Sequence, residues 1–127
     1  MSDEMGMLRI AVEVEPREDS ERRVRFSDVL VDTGSALSWF PASSLDEIDV
    51  RRSRRLSFRQ ATGTIVERWT GNAVVHAAGF SVADRVVFGE PGDLMLLGSR
   101  TLEGLNLMVD PVNRRLVDAG ALPAAAA

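Results

Sequence analysis

Short apolar runs, each broken after a few residues by glycine, proline, asparagine, aspartate or a charged cluster, are the feature that most limits how this chain can fold. Val, Ile, Leu and Phe dominate the runs, and the breaks come too often for long helices, so the pattern is that of an all-β domain. Leu8 to Val14 alternates well. Leu8, Ile10, Val12 and Val14 share one face and Arg9, Ala11 and Glu13 the other, which predicts a strand with one buried side. The charged segment Pro16 to Arg23 predicts a solvated hairpin loop, and Val24 to Val31 the returning strand.

Pro41 to Ile48 holds Ser43 and Ser44 as N-cap candidates with acidic residues in the following turn, which predicts a short helix. Leu56 to Gln60 and Thr64 to Trp69 flank Ala61-Thr62-Gly63, a hairpin signal because glycine accepts positive φ. Val74 to Ala78 and Phe80 to Phe88 predict two further strands joined near Gly79. Gly89-Glu90-Pro91-Gly92-Asp93 has the composition of a loop, and Leu94 to Leu97 reads as an apolar strand ending at Gly98. Ser99 is placed to cap a short helix over Arg100 to Leu105, with Glu103 near its first turn. Leu107 to Val109 and Arg115 to Val117 are joined by the turn Asp110-Pro111-Val112-Asn113-Arg114. The four alanines after Leu122-Pro123 have no partner in the pattern and are expected to fray. The expectation is one domain over 1–127, with a core spanning about 8–118 and a flexible tail over 119–127.

Composition removes several functional classes. With no cysteine among 127 residues, a disulfide framework, a thiolate metal site and a thiol nucleophile are all excluded. His76 is the sole histidine, which rules out a multi-histidine metal cluster. Its setting, Ala73-Val74-Val75-His76-Ala77-Ala78, reads as a strand and His76 as a structural residue. All 15 basic residues are arginines and the net charge is −4, which disfavours a general polyanion binder, and no nucleic-acid partner is expected. No apolar run is long enough to cross a bilayer, so no membrane association is expected. The acidic start Met-Ser-Asp-Glu-Met-Gly-Met lacks the order of a secretory signal, and a cytoplasmic location is expected.

The chemistry concentrates at one place. Leu30-Val31-Asp32-Thr33-Gly34-Ser35 resembles the active-site signature of aspartic peptidases, in which an apolar strand delivers Asp-Thr-Gly followed by a small residue. A second mark is Leu94-Met95-Leu96-Leu97-Gly98, 66 positions from Asp32 to Gly98, followed by a short helix. The tail from Leu102 to Pro111, ending in Arg115-Leu116-Val117, is similar to bacterial and organellar members with short flaps. From Leu8 to Val117 the chain resembles the retropepsin-like aspartic peptidases.

That resemblance implies an all-β acid-protease closed barrel with a ψ-loop over Leu96, Leu97 and Gly98 and one short helix near the C-terminal end. It implies that Asp32 is catalytic, with Thr33, Gly34 and Ser35 supporting its loop. Thr33 would face a partner loop, and Gly34 would permit the tight turn and offer its N–H to a carboxylate. Ser35 would donate its hydroxyl to Asp32. The hairpin at Ala61, Thr62 and Gly63 would be the flap over an extended peptide or protein substrate. Amide hydrolysis by this route needs two carboxyls, one as base and one as acid, and the chain carries one Asp-Thr-Gly. The expected assembly is therefore a homodimer acting as an aspartic endopeptidase, with no metal and no organic cofactor. The alternative is a catalytically weak or inactive domain that serves as a dimerisation or peptide-binding module. Terminal strands are the expected interface, although the alanine-rich end offers no clear strand for it.

Three other features invite weaker readings. The chain has no tyrosine for a flap, and Trp69 either fills that space or packs in the hairpin, the commoner fate of a lone tryptophan at a strand end. Arg51, Arg52, Arg54, Arg55 and Arg59 read as a solvated face ahead of a contact for acidic substrate or nucleic acid. Glu90 and Asp93 either line the cleft or stand exposed in their loop.

Overall fold

A computed structural model describes residues 7–125. The acidic start before Met7 and the last two alanines of the tail lie outside the described residues. Among the described residues, nine strands and two short helices follow in order: β1 (Arg9–Glu15), β2 (Val24–Val31), β3 (Ser38–Pro41), α1 (Ala42–Glu47), β4 (Arg54–Arg59), β5 (Ile65–Ala77), β6 (Phe80–Gly89), β7 (Leu96–Leu97), α2 (Ser99–Leu105), β8 (Leu107–Asp110) and β9 (Arg115–Asp118).

The first seven strands form one sheet in the order β1-β2-β7-β3-β6-β5-β4, and β1 also pairs with β5. The strands therefore curl around a shared interior instead of lying flat. The alternation of β1 drives this: Val12 and Val14 are fully buried, opposite Phe26 and Val24 of β2, and Val14 also stands opposite Val75 of β5. A register shift between Ile10 and Val12 bends β1, as a bulge does, so that one strand can serve two neighbours. The core gathers Val12, Val14, Val29, Phe40, Leu45, Val75, Val86, Phe88 and Leu97, with Phe26 stacked on Phe40 at 5.1 Å between ring centres.

The predicted strands Thr64 to Trp69 and Val74 to Ala78 are one strand of 13 residues. Gly71 is not a break. A side chain there would come within 2.1 Å of the Arg51 carbonyl oxygen, so the glycine lets the backbone of the segment ahead of β4 press against β5. The run from Leu94 contributes only Leu96 and Leu97 to the ladder, and Leu94 is exposed.

Neither helix has the side-chain cap expected of it. Ser43 and Ser44 lie inside α1, which follows Pro41, and Ser99 is the first residue of α2, which follows Gly98. The first turn of α2 contains no acidic residue, so Glu103 lies beyond it. The first N–H groups of α2 are satisfied from elsewhere: Ser99 donates to the Ser35 carbonyl (2.8 Å) and Arg100 to that of Ala36 (3.2 Å). The segment after Asp-Thr-Gly thus caps the helix. In the tail, Ala119 donates to the Asn106 carbonyl (2.9 Å) and the Asn106 carboxamide donates to that of Gly120 (3.0 Å), so the first tail residues are tied down.

Candidate active site

Asp32 is the first residue past β2, and three backbone bonds to two other segments fix that point. Leu30 N–H donates to the Met95 carbonyl (3.2 Å), Val31 N–H to that of Leu8 (2.8 Å) and Asp32 N–H to that of Leu97 (2.9 Å). β7 runs parallel to β2, with Leu30 opposite Leu96 and Val31 opposite Leu97, so the short apolar strand lies directly beside the Asp-Thr-Gly loop. Ser35 N–H closes a turn on the Asp32 carbonyl (3.1 Å).

The Asp32 carboxylate turns back over this turn. Its Oδ1 accepts the Gly34 N–H at 3.0 Å, and a side chain at Gly34 would meet that same oxygen at 3.3 Å. Gly34 does not adopt positive φ. Glycine serves here by leaving room beside a carboxylate, and the turn itself does not demand it. Asp32 is half-buried while Thr33 and Gly34 are exposed, so the loop offers its acid to whatever meets this face. Ser35 departs from expectation: its hydroxyl donates to the Leu37 carbonyl (2.7 Å), two residues on in its own loop.

Gly98 is packed under this loop more tightly than any side chain allows. A Cβ there would lie 2.5 Å from the Leu37 carbonyl oxygen and 2.8 Å from that of Ser35. Beneath it runs a buried polar chain. Gly98 N–H donates to Ser38 Oγ (2.9 Å), Ser38 and Thr101 share a bond between hydroxyls (2.6 Å), and Thr101 donates to Asp84 Oδ2 (3.0 Å). Because a hydroxyl has one proton, Thr101 donating to Asp84 must accept from Ser38, and the chain runs one way from loop to carboxylate. Asp84 is held in turn by Arg85 N–H (2.7 Å) and lies 3.3 Å from Arg100 Nε. No motif marks Ser38, Asp84 and Thr101, which come from three separate segments.

The hairpin of β4 and β5 turns at Gln60 to Thr64, where Gly63 takes φ +90° and donates to the Gln60 carbonyl (2.8 Å). Ala61, Thr62 and Gly63 are all exposed at its tip. One face of its stem carries Leu56, Phe58 and Val66, which pack on Leu37, Trp39 and Val87, as Leu96 of β7 also does. Phe58 meets Trp39 edge-on at 5.1 Å. Trp69 points to the other face, partly exposed with the Arg55 guanidinium over its ring at 5.5 Å. The aromatic residue of the stem that meets the strands beside the Asp32 loop is thus Phe58, against Trp39 of β3, a contact that periodicity alone could not reveal.

Asp93 is not a freely exposed loop carboxylate. It accepts two bonds from Arg68 of β5, at 2.8 and 3.1 Å, and a third from Glu90 N–H (2.7 Å). The Arg68 bonds hold its carboxyl below the ordinary value, and the same pairing raises Arg68. The bond ties the hairpin stem to the loop that leads into β7. His76 sits where β1 meets β5, its Nε2 2.7 Å from Oε1 of the buried Glu15, at the end of β1 far from Leu8 and the Asp32 loop. Arg51, Arg52, Arg54, Arg55 and Arg59 are all exposed, three of them on β4, the edge strand of the sheet, where charge discourages pairing with another chain.

No protein-family model matches the sequence, and no curated protein matches it. Among solved structures, the fold is similar to the solution structure of simian foamy virus (mac) protease, at 15% identity and a TM-score of 0.50, over 75% of this chain and 91% of that one. The fold is retropepsin-like. At this identity the likeness speaks for the fold alone.

Proposed function

We propose that the chain is one half of an aspartic endopeptidase, completed when a second copy brings its own Asp32 beside the first. The single observation that carries this is the Asp32 loop: a half-buried carboxylate bonded to Gly34 N–H at 3.0 Å, on a turn whose outer residues are exposed, hung from β7 by the bond from Asp32 N–H to the Leu97 carbonyl. The cycle of pairings β1-β2-β7-β3-β6-β5-β1 reads as the closed barrel of that fold and gives the loop a rigid base.

Two carboxyls about 3 Å apart cannot both ionise easily and so share one proton. The ionised one takes a proton from a water held between them, and the water oxygen attacks the scissile carbonyl carbon. The protonated one gives its proton to the carbonyl oxygen. Collapse of the tetrahedral intermediate breaks the C–N bond, with proton transfer to the leaving nitrogen. Thr33, exposed at the turn, is the residue to meet its counterpart across the two-fold axis. The Ala61-Thr62-Gly63 tip closes over an extended peptide.

Asp32→Asn tests this directly. Cleavage of an unstructured protein at mildly acidic pH should fall by about 10²–10⁴-fold or more while the circular dichroism spectrum stays that of the native chain. Cleavage that persists at the native rate would remove Asp32 from the chemistry.

A further inference from the structure

The arginine run after α1 reads in the sequence as one solvated face, but folding sorts its members. Arg52 grips Asp46 with two bonds (2.6 and 3.0 Å), and Arg55 lies 3.5 Å from Glu67. The guanidinium of Arg51 has no hydrogen-bond or ion-pair partner among the described residues, and neither has that of Arg17, from the loop after β1. The fold brings these two, 34 positions apart, to one surface groove. Two adjoining hollows share Arg17, Asp49, Val50 and Arg51, and one of them extends to Ser53 and Asn72.

The carboxylates at this groove are already neutralised, Asp46 by Arg52 and Asp49 by Arg22, which also donates to the Glu47 carbonyl. The charge left without a partner is that of Arg17 and Arg51, a local excess of positive charge on a chain of net charge −4. Two unpaired guanidiniums beside the free carboxamide of Asn72 form a surface that favours anions, and the planar fork of arginine suits carboxylates in particular. No aromatic ring lines either hollow, so the stacking platform that single-stranded nucleic acid uses is missing. The groove sits at the end of β1 opposite the Asp32 loop. We propose that it is a docking site for an acidic peptide segment, two carboxylates of which pair with Arg17 and Arg51.

Fluorescence anisotropy of a labelled decapeptide of alternating Glu and Ser tests the proposal at low ionic strength, in Asp32→Asn protein so that cleavage does not intervene. The readout is binding alone and is independent of whether the chain is a peptidase. The double variant Arg17→Gln/Arg51→Gln should bind about tenfold more weakly, while Arg54→Gln/Arg59→Gln, with the same change in net charge outside the groove, should change affinity less than about twofold. Circular dichroism checks that both variants fold. Equal losses in the two variants would overturn the proposal, as would undetectable binding of the peptide. Tighter, groove-dependent binding of a single-stranded RNA oligonucleotide would also overturn it, in favour of a nucleic-acid site.

Discussion

Two glycines and a serine govern how Asp32 is presented. Gly34 leaves space for the carboxylate, and Gly98 lets the helix-bearing segment reach within bonding distance of the Ser35 and Ala36 carbonyls. Gly98→Ala would force a methyl group against two carbonyl oxygens. It should lower stability by about 1–3 kcal/mol, read by urea denaturation, and reduce cleavage by displacing the loop. Ser35 donates to the Leu37 carbonyl, so Ser35→Ala should cost about 1 kcal/mol of stability and leave the pH profile of cleavage where it is. A profile that moves would mean the hydroxyl turns to Asp32 during catalysis. The turn at Asp32-Thr33-Gly34-Ser35 was legible in the sequence because an apolar strand running into Asp, Thr, Gly and Ser marks the place where a strand ends and the chain turns. The direction of one hydroxyl was not, since a serine can serve either of two nearby acceptors.

The hairpin of β4 and β5 is held by packing on Trp39 and by the bonds between Arg68 and Asp93. Both side chains of that pair are largely buried, so it is worth more than an exposed ion pair. Asp93 has its pKa depressed below the ordinary 3.8, chiefly by the Arg68 hydrogen bonds. A group depressed on folding contributes stability that is present above the unfolded value and lost as pH falls through the folded one. Arg68→Met should therefore destabilise the protein by about 1.5–3 kcal/mol near neutral pH, with the gap to wild type closing only under strong acid, as measured by thermal melts across pH. In a retropepsin-like enzyme working at mild acidity this bond would stay intact. Strand positions were readable from alternation, since side-chain period and burial are local properties. The continuity of β5 through Gly71 was not, because the reason for that glycine is a carbonyl twenty positions upstream. The cap of α2 was hidden for the same reason: Ser99 has the chemistry of a cap, but the first donors of the helix meet the Ser35 and Ala36 carbonyls of the Asp32 segment instead.

At the scale of the molecule, the proposed chemistry belongs to two chains. Mixing wild-type and Asp32→Asn chains under exchanging conditions should make activity fall as the square of the wild-type fraction, because a pair with one acid lacks the second role. A linear fall would mean each chain works alone. Within one chain, Gly98, Ser38, Thr101 and Asp84 form a buried one-way chain of hydrogen bonds that joins the floor of the Asp32 loop to β6.

The sequence by itself determined the alternating strands, the mostly β class and the turn at Asp32-Thr33-Gly34 on which the proposed chemistry rests, because propensity, side-chain period and residue type act on neighbours along the chain. Tertiary structure decided which distant groups meet. It set β7 beside β2, turned Phe58 toward Trp39 and Trp69 away, brought Arg68 to Asp93, and gathered Arg17 and Arg51 at one groove. Those contacts depend on how the strands curl and on where chain closure places each side chain. One-dimensional spacing holds no record of either.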